Sequence, residues 1–235
     1  RAQIEVGLST AERHLGRRPR GFWLPECAFK PGIDEVLSRQ KVEYVIVDTH
    51  GLLNGFPVPA AGVHAPIRCP SGLAVFARDL ESSKQVWSSE EGYPGDGAYR
   101  EFYRDLGYDA AYDDIRPYLH SDGIRRNVGI KYHRVTGRVD LGAKQLYDRD
   151  AAVGKAEEHG GHFVFCRQHQ LRFLKAHIRG APITVAPYDA ELFGHWWYEG
   201  PEFLEKVFRT AAHVRQDFDV CTLGEYLDAH PPQTR

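Results

Sequence analysis

Hydrophobic positions along the chain fall into short apolar runs separated by amphipathic stretches, a pattern that predicts strands followed by helices. Residues 1 to 15 carry apolar positions at helical spacing and read as an amphipathic helix. The basic loop "GRRPR" leads into a strand, "GFWLPE", and Pro31 and Gly32 open a second helix that runs to about Arg39. "VEYVIVDTH" is an almost continuous apolar run, as expected of a parallel strand covered on both faces, and it ends on Asp48 and His50, just before Gly51. From about 52 to 97 the chain is rich in Pro, Gly and Ser and encloses one strand, "LAVFARD". A loop-rich insertion of this length is usually functional or without fixed structure, and its aromatics Phe56, Phe76, Trp87 and Tyr93 favour function. Helical segments are expected from about 98 to 118, a strand at "GIKYHRV" and a long helix from about 150 to 178. A strand at "APITVAPYD", a helix over 201 to 215, a short strand "FDVCT" and a last helix over 223 to 229 complete the pattern, which contains no internal repeat.

Strand followed by helix, several times over, implies a parallel sheet, either a (β/α) barrel or a doubly wound sheet. No Gly-x-Gly-x-x-Gly or Walker loop follows any of the strands, which weakens the nucleotide-binding version. In a barrel the strand ends converge on one mouth and supply the reacting groups. Glu26, Asp48, His50, Arg78, His133 and Asp189 all sit at such ends.

Composition narrows the choice of partner. At 235 residues, 42% hydrophobic and 26% charged, the chain suits one large α/β domain or at most two smaller ones. Thirty basic residues against 32 acidic ones give a net charge of −2, so nothing global favours nucleic acid or an anionic membrane, and a neutral substrate fits more easily. No apolar run approaches the roughly 20 residues that span a bilayer. Cys27, Cys69, Cys166 and Cys221 are scattered without the short spacings of zinc sites and read as reduced thiols of a cytoplasmic protein. The start on Arg1 and the absence of methionine suggest a fragment or a processed chain.

Two stretches carry the candidate chemistry: "GFWLPECAF" around Glu26 and "VAPYDAELFGHWWYEGP" around Asp189. Glycosyl transfer with retention needs one carboxylate to attack the anomeric carbon and one carboxyl to protonate the leaving oxygen, about 5 to 5.5 Å apart. Trp23, Tyr188, Phe193, Trp196, Trp197 and Tyr198 crowd these acids, and sugar rings stack their C–H faces on such side chains. "WLPECA" together with "PYDAELFGHWWYEGP" resembles glycoside hydrolase family 57, specifically its 1,4-α-glucan branching enzymes. The likeness continues in order through "VDTHG", "APIRCPSG", "ESSKQVWSSEEGYPGDGAYREFYRDLGYD" and "KYHRVTG".

The resemblance implies an incomplete (β/α)7 barrel, one domain over residues 1–235 with the insertion at about 52–97. It implies Glu26 as nucleophile, Asp189 as acid/base, and transfer of a cut α-1,4-glucan chain to a 6-hydroxyl of another chain. No cofactor or metal is implied. Trp23, Asp48, His50, Arg78, His133, Tyr188, His195, Trp196 and Trp197 are the candidate substrate contacts. The family's first-strand His-Gln-Pro-type motif, a second His-containing motif and a C-terminal helical domain have no counterpart here, so the chain resembles the middle of such an enzyme. Rival readings are an α-amylase or 4-α-glucanotransferase of the same family, or a non-catalytic glucan-binding fragment. A metal-dependent deacetylase on a related barrel would want an Asp-Asp pair and a His-x-x-x-His triplet, and neither lies at a suitable strand end.

Each sharp reading has an ordinary competitor. Glu26 and Asp189 could cap the helices that follow them. Of the adjacent Trp196 and Trp197, one is expected in the core and the other towards a sugar. Asp48 and Arg78 could be a structural ion pair, Cys27 a small packing residue, and His159, His162, Cys166 and His169 one half-buried helix face rather than a metal site.

Overall fold

The structure, a computed structural model, describes residues 1–232. Its contacts divide the chain into two compact units: residues 1–80, 167–187 and those from 216 onward form the first, and residues 81–166 and 188–215 form the second.

A four-stranded mixed sheet organises the first unit. Its strands are β1 (Gly21–Trp23), β2 (Tyr44–Val47), β3 (Ile67–Arg68) and β4 (Ala74–Ala77), in the order β1-β2-β4-β3. β1, β2 and β4 are parallel, with Trp23 opposite Ile46 and Val47 opposite Ala77, whereas β3 runs antiparallel to β4. β4 is buried at every position, as a central strand covered on both faces must be, and β2 alternates. Gly21 is required where β1 passes β2, because a Cβ there would meet the ring of Tyr44.

Helices α1 (Ala2–Leu15), α2 (Ile33–Arg39), α3 (Thr49–Leu53) and α9 (Leu223–Ala229) belong to this unit. α1 buries Ile4 and Leu8, one turn apart, in a core with Leu37, Val45 and Val75. It stops at Gly16, whose left-handed backbone (φ 71°) lets its N–H reach the carbonyl of Glu12. α9 starts on a capping box in which Thr222 and Glu225 satisfy each other's backbone N–H.

The second unit is mostly helix and loop, with α5 (Leu106–Asp109), α6 (Tyr112–Ile115) and α8 (Gly200–His213). α4 (Leu80–Trp87) belongs to it from Glu81 onward. α7 (Arg149–His177) runs for 29 residues, of which 149–166 fall in the second unit and 167–177 in the first. Rings fill the core: Trp197 packs on Phe203 at 4.7 Å and on Tyr99 at 5.2 Å between centroids. The loops are held by buried charge. Asp105, with no exposed side-chain surface, faces the Lys131 ammonium at 3.1 Å and accepts from the backbone N–H groups of Gly107, Val128 and Gly129. Glu101 and Lys144 form a second such pair at 3.1 Å, and the Lys144 ammonium also donates to the carbonyls of Val135 and Gly137.

The α/β class and its parallel strands follow the sequence pattern, with a sheet of four strands among the described residues. Other expectations are corrected. Residues 52–97 contain β3 and α4 as well as the expected strand, β4, which lies inside the sheet, and Phe76 and Tyr93 are core residues. "GIKYHRV" forms only isolated bridges at His133 and Arg134. Lys131 within it turns inward to the Asp105 carboxylate. "APITVAPYD" is not a strand but pairs through single hydrogen bonds, from Ile183 N–H to His64 and from Asp79 N–H to Val185, and "FDVCT" is not a strand.

Burial pushes the Asp105 carboxyl up, but the N–H groups of Val128 and Gly107 and the Lys131 ammonium together hold it below the usual carboxylate range. Asp105→Asn is expected to cost about 3–5 kcal/mol in urea unfolding at neutral pH, because it strands a buried ammonium. Since the folded pKa is depressed, the stabilisation is present above the unfolded value and is lost as pH falls through the folded one, so wild type and variant should converge in acid.

Candidate active site

In the first unit, four of the residues singled out by the sequence come together at the carboxyl ends of the parallel strands. Trp23 ends β1, Asp48 and His50 follow β2, and Arg78 follows β4, with its backbone N–H donating to the Val47 carbonyl at 3.0 Å. Parallel strands in register deliver these side chains to one edge, where ligands of α/β sheets characteristically bind. The Arg78 guanidinium lies 5.9 Å from the Trp23 ring centroid and 4.0 Å from the Asp48 carboxylate, and the His50 ring stands 3.6 Å from that carboxylate. Thr49 Oγ1 donates to the Arg78 carbonyl at 2.8 Å and locks the start of α3 against the end of β4.

Glu26 lies on the turn Pro25–Cys27, immediately beyond β1 and the buried Leu24. Its backbone is left-handed (φ 54°, ψ 25°), and so is that of Cys27 (φ 53°). Neither residue is a glycine, and each such conformation costs on the order of 1–3 kcal/mol, a cost that tends to persist where function requires it. The carboxylate is exposed and carries no hydrogen bond or ion pair among the described residues. The helix-capping alternative is therefore not what the structure contains at Glu26. Cys27 is the residue whose side chain is engaged: its Sγ accepts from the Trp23 indole Nε1 at 3.1 Å and lies 3.8 Å from Arg78 Nη2.

In the second unit, Asp189 occupies the N-cap position of the turn Ala190–Leu192 but makes no capping hydrogen bond, and its side chain is exposed. Tyr188 beside it is anchored, its hydroxyl donating to the Ser82 carbonyl at 2.8 Å. Trp196 is 48% exposed and stacks on Phe102 at 4.2 Å, 22° from parallel, while His195 meets the edge of the same Phe102 ring. Lys131 lies 5.5 Å from that ring on its way to Asp105. The partly exposed Trp196 thus offers a ring face seven residues beyond the unpaired Asp189 carboxylate in the chain. Trp197 is 2% exposed and buried among rings, so the expectation of a substrate contact there is corrected to a packing role.

His133 is only 16% exposed at its side chain and stands 3.8 Å from Asp109, which Arg104 already holds at 2.7 Å. The structure thus sets it within a polar cluster of the second unit. His159 and His162 are hydrogen-bonded to the hydroxyls of Tyr99 (2.7 Å) and Tyr93 (2.8 Å), as a half-buried helix face would have them. Among the described residues no group of three His, Cys, Asp or Glu side chains is placed to hold a metal ion.

Sequence reasoning missed Phe102 and Glu199. Phe102 sits in "YREFYRD" about 90 residues before the tryptophan it stacks on, with no local signal of the pairing. Glu199, in "WWYEGP", is 1% exposed and accepts from the Tyr147 hydroxyl at 2.5 Å and from the Arg100 N–H at 3.2 Å. It tethers the segment that carries both tryptophans.

Burial raises the Glu199 carboxyl above its usual pKa, only partly offset by the Tyr147 hydroxyl. A carboxyl raised in the folded state binds its proton more tightly there than when unfolded, so stability should fall as pH rises from about 4.3 through the folded value. Glu199→Gln should flatten that limb in urea unfolding. Glu199→Ala should cost about 1–3 kcal/mol by leaving the Tyr147 hydroxyl and the Arg100 amide without an acceptor.

Comparison with known proteins gives the following. The profile of glycosyl hydrolase family 57 matches residues 1–186. A 1,4-alpha-glucan branching enzyme of Thermococcus kodakarensis is 34% identical over 260 residues, covering 98% of this chain and 35% of that protein. The crystal structure of an alpha-amylase from Thermotoga maritima superposes with a TM-score of 0.92 at 44% identity, covering 100% of this chain and 45% of its own. That of a branching enzyme from Pyrococcus horikoshii gives 0.81 at 34% identity, covering 99% and 42%. The chain therefore spans about a third of the length of the curated relative and under half of the solved ones.

Proposed function

Because the chain belongs to glycosyl hydrolase family 57, we propose that it carries part of the machinery for retaining glycosyl transfer on α-1,4-glucan. In this reading Glu26 attacks the anomeric carbon and holds the cut chain as a glycosyl ester. Asp189 protonates the departing oxygen and then deprotonates the incoming 6-hydroxyl, which creates an α-1,6 branch. The sheet is then a portion of an incomplete (β/α)7 barrel, with Glu26, Asp48, His50 and Arg78 at its mouth. The observation that carries the reading is Glu26 itself, an exposed and unpaired carboxylate on a strained turn beyond a parallel strand. Support also comes from the stack of Trp196 on Phe102, Trp196 lying seven residues beyond Asp189 in the chain.

Transfer prevails over hydrolysis only where an acceptor sugar outcompetes water at the ester, so the acceptor surface decides between branching and amylase action. Similarity to the Thermotoga maritima alpha-amylase, at 44% identity, favours hydrolysis as the second reading. Similarity to the branching enzyme of Thermococcus kodakarensis over 98% of the chain favours branching.

The test uses amylose and the native polypeptide that carries this chain. Branching predicts loss of iodine colour together with new α-1,6 links counted after debranching. Short linear products alone would assign hydrolysis instead, and amylose binding without turnover would leave a glucan-binding module. Asp189→Asn should lower kcat about 10²–10⁴-fold, the range of general acid–base catalysis, and Glu26→Gln at least as much. Near-wild-type turnover in Glu26→Gln would reject the mechanism.

A further inference from the structure

We propose that Cys27 is a positioning residue for Glu26, its sulfur anchoring the strained turn that presents the carboxylate. The inference rests on the reading of Glu26 as nucleophile. Two backbone hydrogen bonds close the turn, from Cys27 N–H to Leu24 at 2.9 Å and from Ala28 N–H to Pro25 at 3.0 Å. Both lie within the turn, and neither reaches the ends of β2 or β4. The Cys27 side chain supplies the attachment: Trp23 Nε1 donates to Sγ at 3.1 Å, and Arg78 Nη2 approaches it at 3.8 Å. Trp23 belongs to β1 and Arg78 follows β4, two strands separated by β2 in the sheet. Arg78 also faces Asp48, just after β2, so one sulfur couples the turn to three strand ends.

The geometry explains why a side chain is needed here. Glu26 and Cys27 both hold φ near +54°, a region that non-glycine residues leave readily when nothing opposes them. Rotation of either residue towards ordinary backbone would swing the Glu26 carboxylate away from its line of attack. A nucleophile must stand about 3–3.5 Å from the carbon it attacks, and a misplacement of about 1 Å costs up to 10²-fold in rate. Cys27 takes no proton and forms no bond to sugar in this scheme. Its contribution appears in kcat rather than in substrate binding.

The experiment compares three variants at Cys27 with Glu26→Gln in the native polypeptide acting on amylose. Cys27→Ala removes the acceptor and should lower kcat about 10–100-fold with KM held within about twofold. Cys27→Ser keeps an acceptor and should recover most of that loss. Cys27→Gly lacks the acceptor but adopts positive φ without strain, so it should keep the thermal midpoint and still lose kcat. Retention of kcat within about twofold in the alanine and glycine variants would overturn the proposal, as would equal losses in all three variants that track their thermal midpoints. Turnover in Glu26→Gln would instead overturn the nucleophile assignment, and the positioning role with it.

Discussion

Three parallel strands in register are the constraint on which the first unit depends. Pairing of Trp23 with Ile46 and of Val47 with Ala77 aligns the carboxyl ends of β1, β2 and β4. Whatever follows each strand then emerges at one edge. Apolar burial enforces the register: Val45, Val47, Val75 and Ala77 are all under 4% exposed, and a slip of one residue would send alternate side chains to the wrong face. Burying each of these valines is worth about 1.5–3 kcal/mol, so the three together outweigh the roughly 1–3 kcal/mol of one left-handed residue at the edge. A stiff sheet can therefore hold a turn that the local chain would not choose.

The second unit reaches rigidity by a different route. It has little regular structure between α4 and α7, and its loops are held by carboxylates and ammonium groups with almost no exposure. A buried pair of this kind adds little net stability over an apolar substitute, but removal of one partner is expensive. That asymmetry gives such loops one arrangement instead of several. The ring cluster around Trp197 and the Glu199 tether fix the following segment, leaving Trp196 and Asp189 at the surface.

The two candidate catalytic carboxylates, like that of Glu191, have no hydrogen bond or ion pair among the described residues. Asp48, Asp105, Asp109 and Glu199 each face a cation or a donor, whereas Glu26 and Asp189 face none among the described residues. An unpaired carboxylate held on a defined turn remains available to a substrate, and that is what attack and proton transfer at a sugar require.

The sequence alone determined the helices with clear amphipathic spacing or caps, α1, α7, α8 and α9, because their signals lie within a turn or two of chain. It also identified the parallel strands β1, β2 and β4 and the polar residues that end them, since a run of apolar residues broken by Glu26, Asp48 or Arg78 is legible locally. Motifs in collinear order identified the family, which the profile match over residues 1–186 bears out. Tertiary structure alone decided the rest. It put β4 inside the sheet, between β2 and β3, a place its Pro- and Gly-rich flanks did not indicate. It sent Trp197 inward and Trp196 outward, and it set Phe102 beneath the latter. It turned Lys131 towards Asp105 and the sulfur of Cys27 towards Trp23 and Arg78. The physical reason is common to all of these: each outcome depends on a partner remote in the chain or on a backbone torsion, and neither is written in the spacing of hydrophobic and polar residues.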